Sequence, residues 1–362
     1  MASLANWTTA PWRDSEPLEC AMVVPESPDV ATFTFRAPSG AWFDYQPGQF
    51  LTLDLPINPK MGPGGNVQRT YTISSSPSRP LSLSITVKAQ SASQGTRWML
   101  EHLQPGVQIR AIGPSGIFSF HRYPAAKYLF ISAGSGITPM MSMTTWAWDS
   151  GQMPDIVFVH AARTPSEIIF RERLEQFANR VPGLQLRFTI EQADPFRAWP
   201  GFRGRLSQIM LGLMAPDYLD REVFCCGPEP FMRAVREMLG ALGYDMARYH
   251  QESFQAPVAT EAEVRPLDDV TPDAEARSEI LFARSNVSVR CAETDTVLAM
   301  AKASKLNIPS GCNFGLCGTC KIRKLSGEVH MVHNGGISDD DIAAGYILAC
   351  CSHPLGQVVV EV

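Results

Sequence analysis

Apolar positions along the chain change their period twice. From about Ser15 to Phe120 they alternate with polar ones in short runs, such as Ala31-Thr-Phe-Thr-Phe35, Phe50-Leu-Thr-Leu-Asp-Leu55 and Leu81-Ser-Leu-Ser-Ile-Thr-Val87. That is the period of strands with one buried face. Turn signals at Pro47-Gly48, Pro105-Gly106 and Gly113-Pro114 punctuate the runs, and this spacing predicts an antiparallel β-barrel. Near Tyr128 the alternation gives way to continuous apolar runs: Tyr128 to Ala133, Ile156 to His160, Leu186 to Ile190 and Val223 to Cys226. Helical stretches from Ile168 to Arg180 and from Phe231 to Leu242 lie between or after them, so an α/β domain with a parallel sheet is expected. Residues 255–278 carry Pro257, Pro266 and Pro272 with few apolar side chains, the make-up of an extended linker. A third compact unit starts at Glu279. The expected organisation is multidomain: a barrel over 15–122, a parallel-sheet α/β domain over 123–254, a linker over 255–278 and a C-terminal unit over 279–362.

Charge sharpens this division. Residues 1–254 carry 22 basic and 22 acidic side chains, the linker two and six, and residues 279–362 seven and eight, which gives the net charge of −5. Most of the acidic excess thus sits in the linker, and no basic stripe exists to neutralise phosphates along a duplex, so nucleic acid is not an expected partner. No apolar run approaches the ~20 residues that span a bilayer. The segment Met1 to Asp14 has no basic stretch followed by an apolar one, so a cytoplasmic protein without a membrane partner is expected.

Nine cysteines, at 20, 225, 226, 291, 312, 317, 320, 350 and 351, are the informative count. Five of them fall in the last 51 residues, which reads as a metal site and not a disulfide framework. The run Ser310-Gly-Cys312-Asn-Phe-Gly315-Leu-Cys317-Gly318-Thr-Cys320, followed by Cys350, has the C-x4-C-x2-C…C spacing of a plant-type 2Fe–2S cluster. Four thiolates must converge on two irons; a tight loop supplies three, and a returning segment the fourth. Gly311, Gly315 and Gly318 let the backbone press close to the sulfurs. A structural zinc site is the competing reading, although zinc sites usually pair two knuckles. Cys351, beside Cys350, is an alternative fourth ligand. The segment from Ile280 to Cys350 resembles a plant-type ferredoxin, with strands at Ile280–Phe282 and Val287–Arg290, a helix from Thr296 to Lys305, and the runs Gly327 to Met331 and Gly345 to Cys350. The resemblance implies an α+β (β-grasp) fold and ligation by Cys312, Cys317, Cys320 and Cys350.

Three further motifs precede this loop. Arg69-Thr70-Tyr71-Thr72 heads a β segment. An arginine can grip phosphate oxygens bidentately, a tyrosine offers a flat face to a ring system, and a hydroxyl can bond a ring nitrogen; an ordinary edge strand with a surface arginine would read the same way. Gly95-Thr96, before the helix Arg97 to His102, could bind an anion or simply cap the helix. Gly134-Ser135-Gly136-Ile137-Thr138-Pro139 follows a buried strand and opens a helix, where glycines let a dinucleotide approach the backbone. Cys226-Gly227-Pro228-Glu229-Pro230-Phe231-Met232 ends another buried strand.

In this order, R-x-Y-T, G-x-G-x-x-P, C-G-P-x-x-M and a terminal ferredoxin loop resemble the ferredoxin–NADP reductase superfamily across almost the whole chain. The resemblance implies FAD held by Arg69, Thr70, Tyr71, Thr72, Val87, Lys88, Gly95 and Thr96. It implies a nicotinamide nucleotide held by Gly134, Ser135, Gly136, Thr138, Pro139, Cys226, Gly227, Pro228 and Met232. It places Thr72, Cys226 and Glu252 near the hydride path. Glu191-Gln192, after the Leu186–Ile190 strand, stands where NADPH-using relatives place Ser-Arg; an acidic residue there repels a 2′-phosphate and favours NADH, unless Arg163 or Arg197 compensates.

NADH gives up two electrons as a hydride whereas a 2Fe–2S cluster takes one, so a flavin is needed between them. No oxygen-activating grouping of two histidines and a carboxylate is recognisable, so substrate oxidation is expected on a partner. Domain order and the run from Met331 to Cys350 resemble reductase subunits of Rieske-type glycine betaine monooxygenases, which makes a terminal oxygenase the expected partner. A hybrid-cluster protein or a diiron hydroxylase is an alternative acceptor, and a redox-sensing module is the remaining reading.

Overall fold

The structure is a computed structural model. It describes residues 10–57, 67–90, 93–194, 198–254, 272–273, 275–310, 315, 318–333 and 336–362. Cys312, Cys317, Arg197 and most of the expected linker lie outside the described residues. Two compact units divide the chain, one holding residues 1–67, 71–114 and 118–255, the other 256–362 together with 68–70 and 115–117.

In the first unit, β1 (Leu18–Ser27), β2 (Val30–Arg36), β3 (Phe50–Leu55), β4 (Val67–Thr72), β5 (Leu83–Lys88) and β6 (Gln108–Ser115) form a six-stranded sheet in the order β4-β3-β6-β1-β2-β5. The sheet closes on itself where an antiparallel bridge joins Ile73, just past β4, to Ile85 of β5. Period-two patterning explains the interior: Phe33, Phe35, Leu51, Leu53, Leu55 and Ile85 face one shared core. The helix α1 (Gln94–His102) crosses near β3 and β5. It begins three residues before the expected Arg97, because the Ser93 side chain accepts the N–H of Thr96 and caps it earlier.

The same unit continues as β7 (Lys127–Ala133), α2 (Ile137–Ser150), β8 (Asp155–Ala162), α3 (Arg171–Arg180), β9 (Leu184–Ile190), β10 (Phe202–Arg203), α4 (Gln208–Met214), β11 (Glu222–Cys226), α5 (Glu229–Ala241) and β12 (Tyr249–Glu252). These strands make a parallel sheet in the order β10-β9-β8-β7-β11-β12. Both faces of β7 are covered. Tyr128 and Phe130 pack with residues of α2 and α3, and Leu129 and Ile131 with residues of α4 and α5. Coverage on both sides is why these strands are continuously apolar in sequence. The chain runs outward from β7 to β10 and returns to β11 on the other side of β7. The loops after β7 and β11 therefore flank a topological switch point, where open α/β sheets bind their ligands.

One local expectation is corrected, and one helix was not expected. The helix expected from Ile168 begins at Arg171, because Ile168, Ile169 and Phe170 are all buried and Phe170 has φ +58. Those three side chains plug apolar clusters, and that demand overrides helical continuation. The short α4, with Gly212 inside it, gave no periodic signal; it is held by the Ser207 cap and by buried Leu211 and Met214.

The second unit holds β13 (Arg277–Phe282), β14 (Val287–Ala292), α6 (Val297–Ala303), β15 (Lys321–Met331), α7 (Asp339–Ala343), β16 (Tyr346–Leu348) and β17 (Ser352–Val360). Its mixed sheet runs β14-β13-β17-β15-β16, with β13 and β17 parallel and the other pairs antiparallel. The core gathers Ile280, Phe282, Val297, Leu298, Ala301, Leu348, Val358 and Val360. Thr296, expected inside the helix, is the cap of α6 and accepts the N–H of Ala299.

Candidate redox sites

The crevice at the switch point is set by backbone. Gly136 lies against the end of β11 so closely that a Cβ there would come within 2.2 Å of the Cys226 carbonyl oxygen and 2.6 Å of the Gly227 nitrogen. The loops after β7 and β11 are thus one packed pair, and only glycine permits it. Gly134 is the opposite case: it has φ +54, and a Cβ would meet nothing within 4 Å. Its outer side is open, as a surface that receives a dinucleotide must be. Thr138 donates to the Ser135 carbonyl at 3.0 Å and Pro139 is buried in the first turn of α2, so both stiffen the loop. Met232 and Pro228 shape the start of α5, Met232 from within the core.

A buried trio stands beside this pair of loops. Cys226 and Glu252 are partners in the parallel pairing of β11 and β12. The Thr72 hydroxyl, at the end of β4, donates to Glu252 Oε2 at 3.4 Å across 180 residues of chain. All three side chains are buried. Loss of solvent pushes the Glu252 carboxyl up to about 8, against a smaller downward pull from the Thr72 bond, so it is neutral at pH 7. Burial, with the Glu252 charge beside it, also holds the Cys226 thiol well above its ordinary value. The trio is therefore an uncharged cluster at neutral pH, which suits a place where a hydride passes. A buried thiol held this far above its ordinary value is a small apolar contact and not a nucleophile.

On the barrel side, Arg69 is exposed and its Nη1 donates to the Gln68 carbonyl, while Tyr71 is half-buried. An exposed guanidinium and a tyrosine face on the strand that ends in Thr72 fit a flavin. Gly95 and Thr96 are buried in the first turn of α1. The Thr96 hydroxyl is engaged with Gln90 N–H and the Ser93 carbonyl, so it shapes the loop. Val87 is in the barrel core, and Lys88 Nζ pairs with Glu167 at 3.0 Å and Asp29 at 3.4 Å. Glu191 follows β9 and stands 3.6 Å from Arg205, while Arg163 Nε donates to Glu167 at 3.0 Å.

In the second unit the described part of the cysteine loop fits a cluster. Gly315 has φ +75 and its N–H donates to Cys350 Sγ at 3.3 Å; the Cys350 N–H donates to Cys320 Sγ at 3.4 Å. Backbone donors aimed at sulfur are what tune such a site. A Cβ on Gly315 would lie 2.9 Å from Cys351 Sγ and from His333 Cα, and one on Gly318 would lie 2.7 Å from the Gly336 oxygen. The Cys351 thiol donates instead to the Leu348 carbonyl at 3.7 Å. Cys320 and Cys350 are buried together in the domain core.

Sequence reasoning missed one set of contacts in the first unit. The Ser142 hydroxyl on α2 donates to the Ser75 carbonyl at 2.6 Å, and Asp149, at the end of α2, takes both Arg79 and Ser78. Partners about 70 residues apart, none in a recognised motif, leave no sequence signal.

Comparison with known proteins agrees with this architecture. Residues 19–120 match the oxidoreductase FAD-binding domain family, residues 130–237 the oxidoreductase NAD-binding domain family and residues 281–355 the 2Fe–2S iron–sulfur cluster binding domain family. The chain is 63% identical over 350 residues, 97% of either chain, to the stachydrine N-demethylase reductase subunit Stc4 of Rhizobium meliloti. It is 46% identical over 98% of its length, and 97% of the relative's, to the glycine betaine monooxygenase reductase subunit of Chromohalobacter salexigens. Phthalate dioxygenase reductase shares its fold, with a TM-score of 0.60 at 22% identity over 96% of this chain and 97% of that one.

The chain belongs to the ferredoxin–NADP reductase superfamily, in the group that ends in a plant-type 2Fe–2S ferredoxin domain. It is an NAD(P)H-dependent oxidoreductase that moves electrons through flavin and an iron–sulfur cluster. Among the described residues no helix is long and apolar enough to cross a membrane.

Proposed function

We propose that the chain accepts electrons from NADH and delivers them to a terminal monooxygenase that N-demethylates a betaine-type quaternary ammonium compound. The observation that carries the electron path is the buried meeting of Thr72, Cys226 and Glu252 at the switch point. The full-length identity of 63% to a stachydrine N-demethylase reductase, above the 46% to a glycine betaine counterpart, supports a partner of the first kind. Bound there, FAD would accept a hydride and release its electrons singly. Arg69 and Tyr71 would hold the flavin, with Gly95 at the α1 N-terminus. Gly134, Ser135 and Gly136, held by Thr138 and Pro139, would carry the dinucleotide opposite Gly227 and Pro228. Thr72 and neutral Glu252 would exclude water and keep the reacting region uncharged. Cys312, Cys317, Cys320 and Cys350 would hold the cluster. Glu191 at the end of β9, with Arg163 already occupied by Glu167, supports NADH over NADPH. The three family matches support the boundaries at 15–122, 123–254 and 279–362, and a cytoplasmic setting suits a nicotinamide donor.

The test is twofold. Purified protein under argon should show flavin and cluster absorbance that NADH bleaches, with an electron paramagnetic resonance signal from the reduced cluster. Mixed with a stachydrine-demethylating oxygenase, it should support release of one formaldehyde per NADH consumed. Faster turnover with a hybrid-cluster protein or a diiron hydroxylase would redirect the partner assignment, and a cluster that NADH leaves oxidised would overturn the electron path.

A further inference from the structure

Two pieces of chain matter for the distance between nicotinamide and flavin. One is β4 and its continuation, residues 69–79, which carries the flavin-side residues. The other is α2, which starts at the Gly134–Gly136 turn. They are fastened together twice. In the middle of α2, fully buried Ser142 donates to the Ser75 carbonyl at 2.6 Å. Ser75 itself is fixed to the barrel: its hydroxyl takes the Ser84 N–H at 2.8 Å and meets the Tyr45 hydroxyl at 2.9 Å. At the far end of α2, Asp149 receives Arg79 through a two-pronged pair, Nε to Oδ2 at 2.9 Å and Nη2 to Oδ1 at 2.7 Å. The Ser78 hydroxyl adds a bond to Oδ2 at 2.5 Å. Although burial raises the Asp149 carboxyl, the Arg79 and Ser78 bonds hold it below the usual carboxylate value. Arg173, which donates to Thr145 Oγ1 at 3.3 Å, is the other cation facing this end of the helix.

We propose that Arg79 and Asp149 form a positioning latch that fixes the tilt of α2, and thereby the approach of the nicotinamide loop to the flavin strand. Core packing along most of α2 already limits its tilt, and the attachment at its less buried end narrows what remains. At 1.5 Å per residue, Ser142 lies about 10 Å from Asp149 and about 9 Å from Gly136. Release at Asp149 lets α2 rock about Ser142, and a 5° tilt moves the Gly136 turn by about 0.8 Å. Displacements of that size are costly in hydride transfer, where about 1 Å is worth roughly a hundredfold in rate. The Arg79 side chain is 60% exposed and that of Asp149 14%, so solvent screens the pair from the arginine side and its contribution to folding is small beside its effect on rate. Rate and stability therefore separate, and that separation is the signature of positioning. The proposal rests on the flavin and nicotinamide assignments above.

The experiment uses the full-length holoenzyme. Asp149→Ala should keep wild-type flavin and iron content and melt within about 3 °C of wild type, while NADH reduces its flavin about 10- to 100-fold more slowly in anaerobic stopped flow. The long-wavelength charge-transfer absorbance between nicotinamide and flavin should weaken in parallel. Arg79→Ala should match it, the double variant should be no slower than either single one, and Arg79→Lys should recover most of the rate. An Asp149→Ala enzyme that reduces within twofold of wild type with an unchanged charge-transfer band overturns the latch, as does a double variant whose losses multiply. If Asp149→Ala is short of flavin, Arg79→Ala is read against the same limits. Arg69→Ala separates the two levels: retention of full flavin in that variant overturns the site assignment, independently of the latch.

Discussion

Glu252 offers the sharpest quantitative prediction. Its carboxyl is raised from 4.5 to about 8 because the side chain is wholly buried, with the Thr72 hydroxyl as its hydrogen-bond donor. Between those two values the folded protein holds a proton that the unfolded chain has lost. Stability therefore falls as pH rises through this window, by about 1.4 kcal/mol per unit, and levels off above pH 8. The full span corresponds to about 5 kcal/mol as an upper bound, which local relaxation lowers. Glu252→Gln keeps the shape and a neutral group but removes the titration. Read by thermal melting of the first unit in the full-length protein, the variant should gain on wild type from pH 5 to pH 9. Halving the bound for relaxation, and taking about 2–4 °C per kcal/mol for a unit of this size, the gain is about 5–10 °C. Cofactor loss at extreme pH affects both proteins and cancels in the difference. A melting-temperature difference that stays constant between pH 5 and pH 9 refutes the buried, proton-carrying Glu252.

Three further outcomes follow from the same geometry. Cys350→Ser should abolish the visible cluster spectrum and the iron content, whereas Cys351→Ser, whose thiol bonds the Leu348 carbonyl, should leave both close to wild type; the reverse result would move the fourth ligand to Cys351. Gly136→Ala should slow NADH-driven flavin reduction at least about a hundredfold, since its Cβ would force the two loops apart, while dithionite still reduces the cluster; stopped-flow absorbance reads both. Glu191→Ser should raise kcat/KM with NADPH relative to NADH about tenfold, the scale of one partly exposed repulsion of about 1.4 kcal/mol, and steady-state assays with both nucleotides check it.

What the sequence made legible was whatever chemistry concentrates into a few consecutive residues. The cysteine loop needs its thiolates and its positive-φ glycines side by side, and Gly315 and Gly318 do take φ +75 and +69. The turn after β7 needs a glycine where the chain touches the end of β11, and this too is local. The parallel sheet was readable because strands covered on both faces are continuously apolar. Less was visible where packing outranks pattern. Ile168 to Phe170 look like the first turn of a helix, yet their side chains are drawn into the core and α3 starts after them. The seven residues of α4 are too few for a period to show, and their helix depends on one serine cap and two buried side chains.

The missed contacts share a physical reason. A residue that touches a cofactor is chosen by that cofactor's chemistry, so its type and spacing are restricted and a motif results. A residue that sets the distance between two such motifs needs only a partner on the other element, and many pairs of types would serve. Arg79 and Asp149 meet across 70 residues from positions with no neighbours of special chemistry. The Thr72–Glu252 contact is intermediate: Thr72 lies in a motif, while Glu252 sits at the end of an ordinary strand and acquires its raised carboxyl only from the enclosure that folding builds. Motifs in this chain thus name the groups expected to meet the cofactors, whereas the Arg79–Asp149 and Thr72–Glu252 contacts exist only once the strands and helices that carry them are packed together.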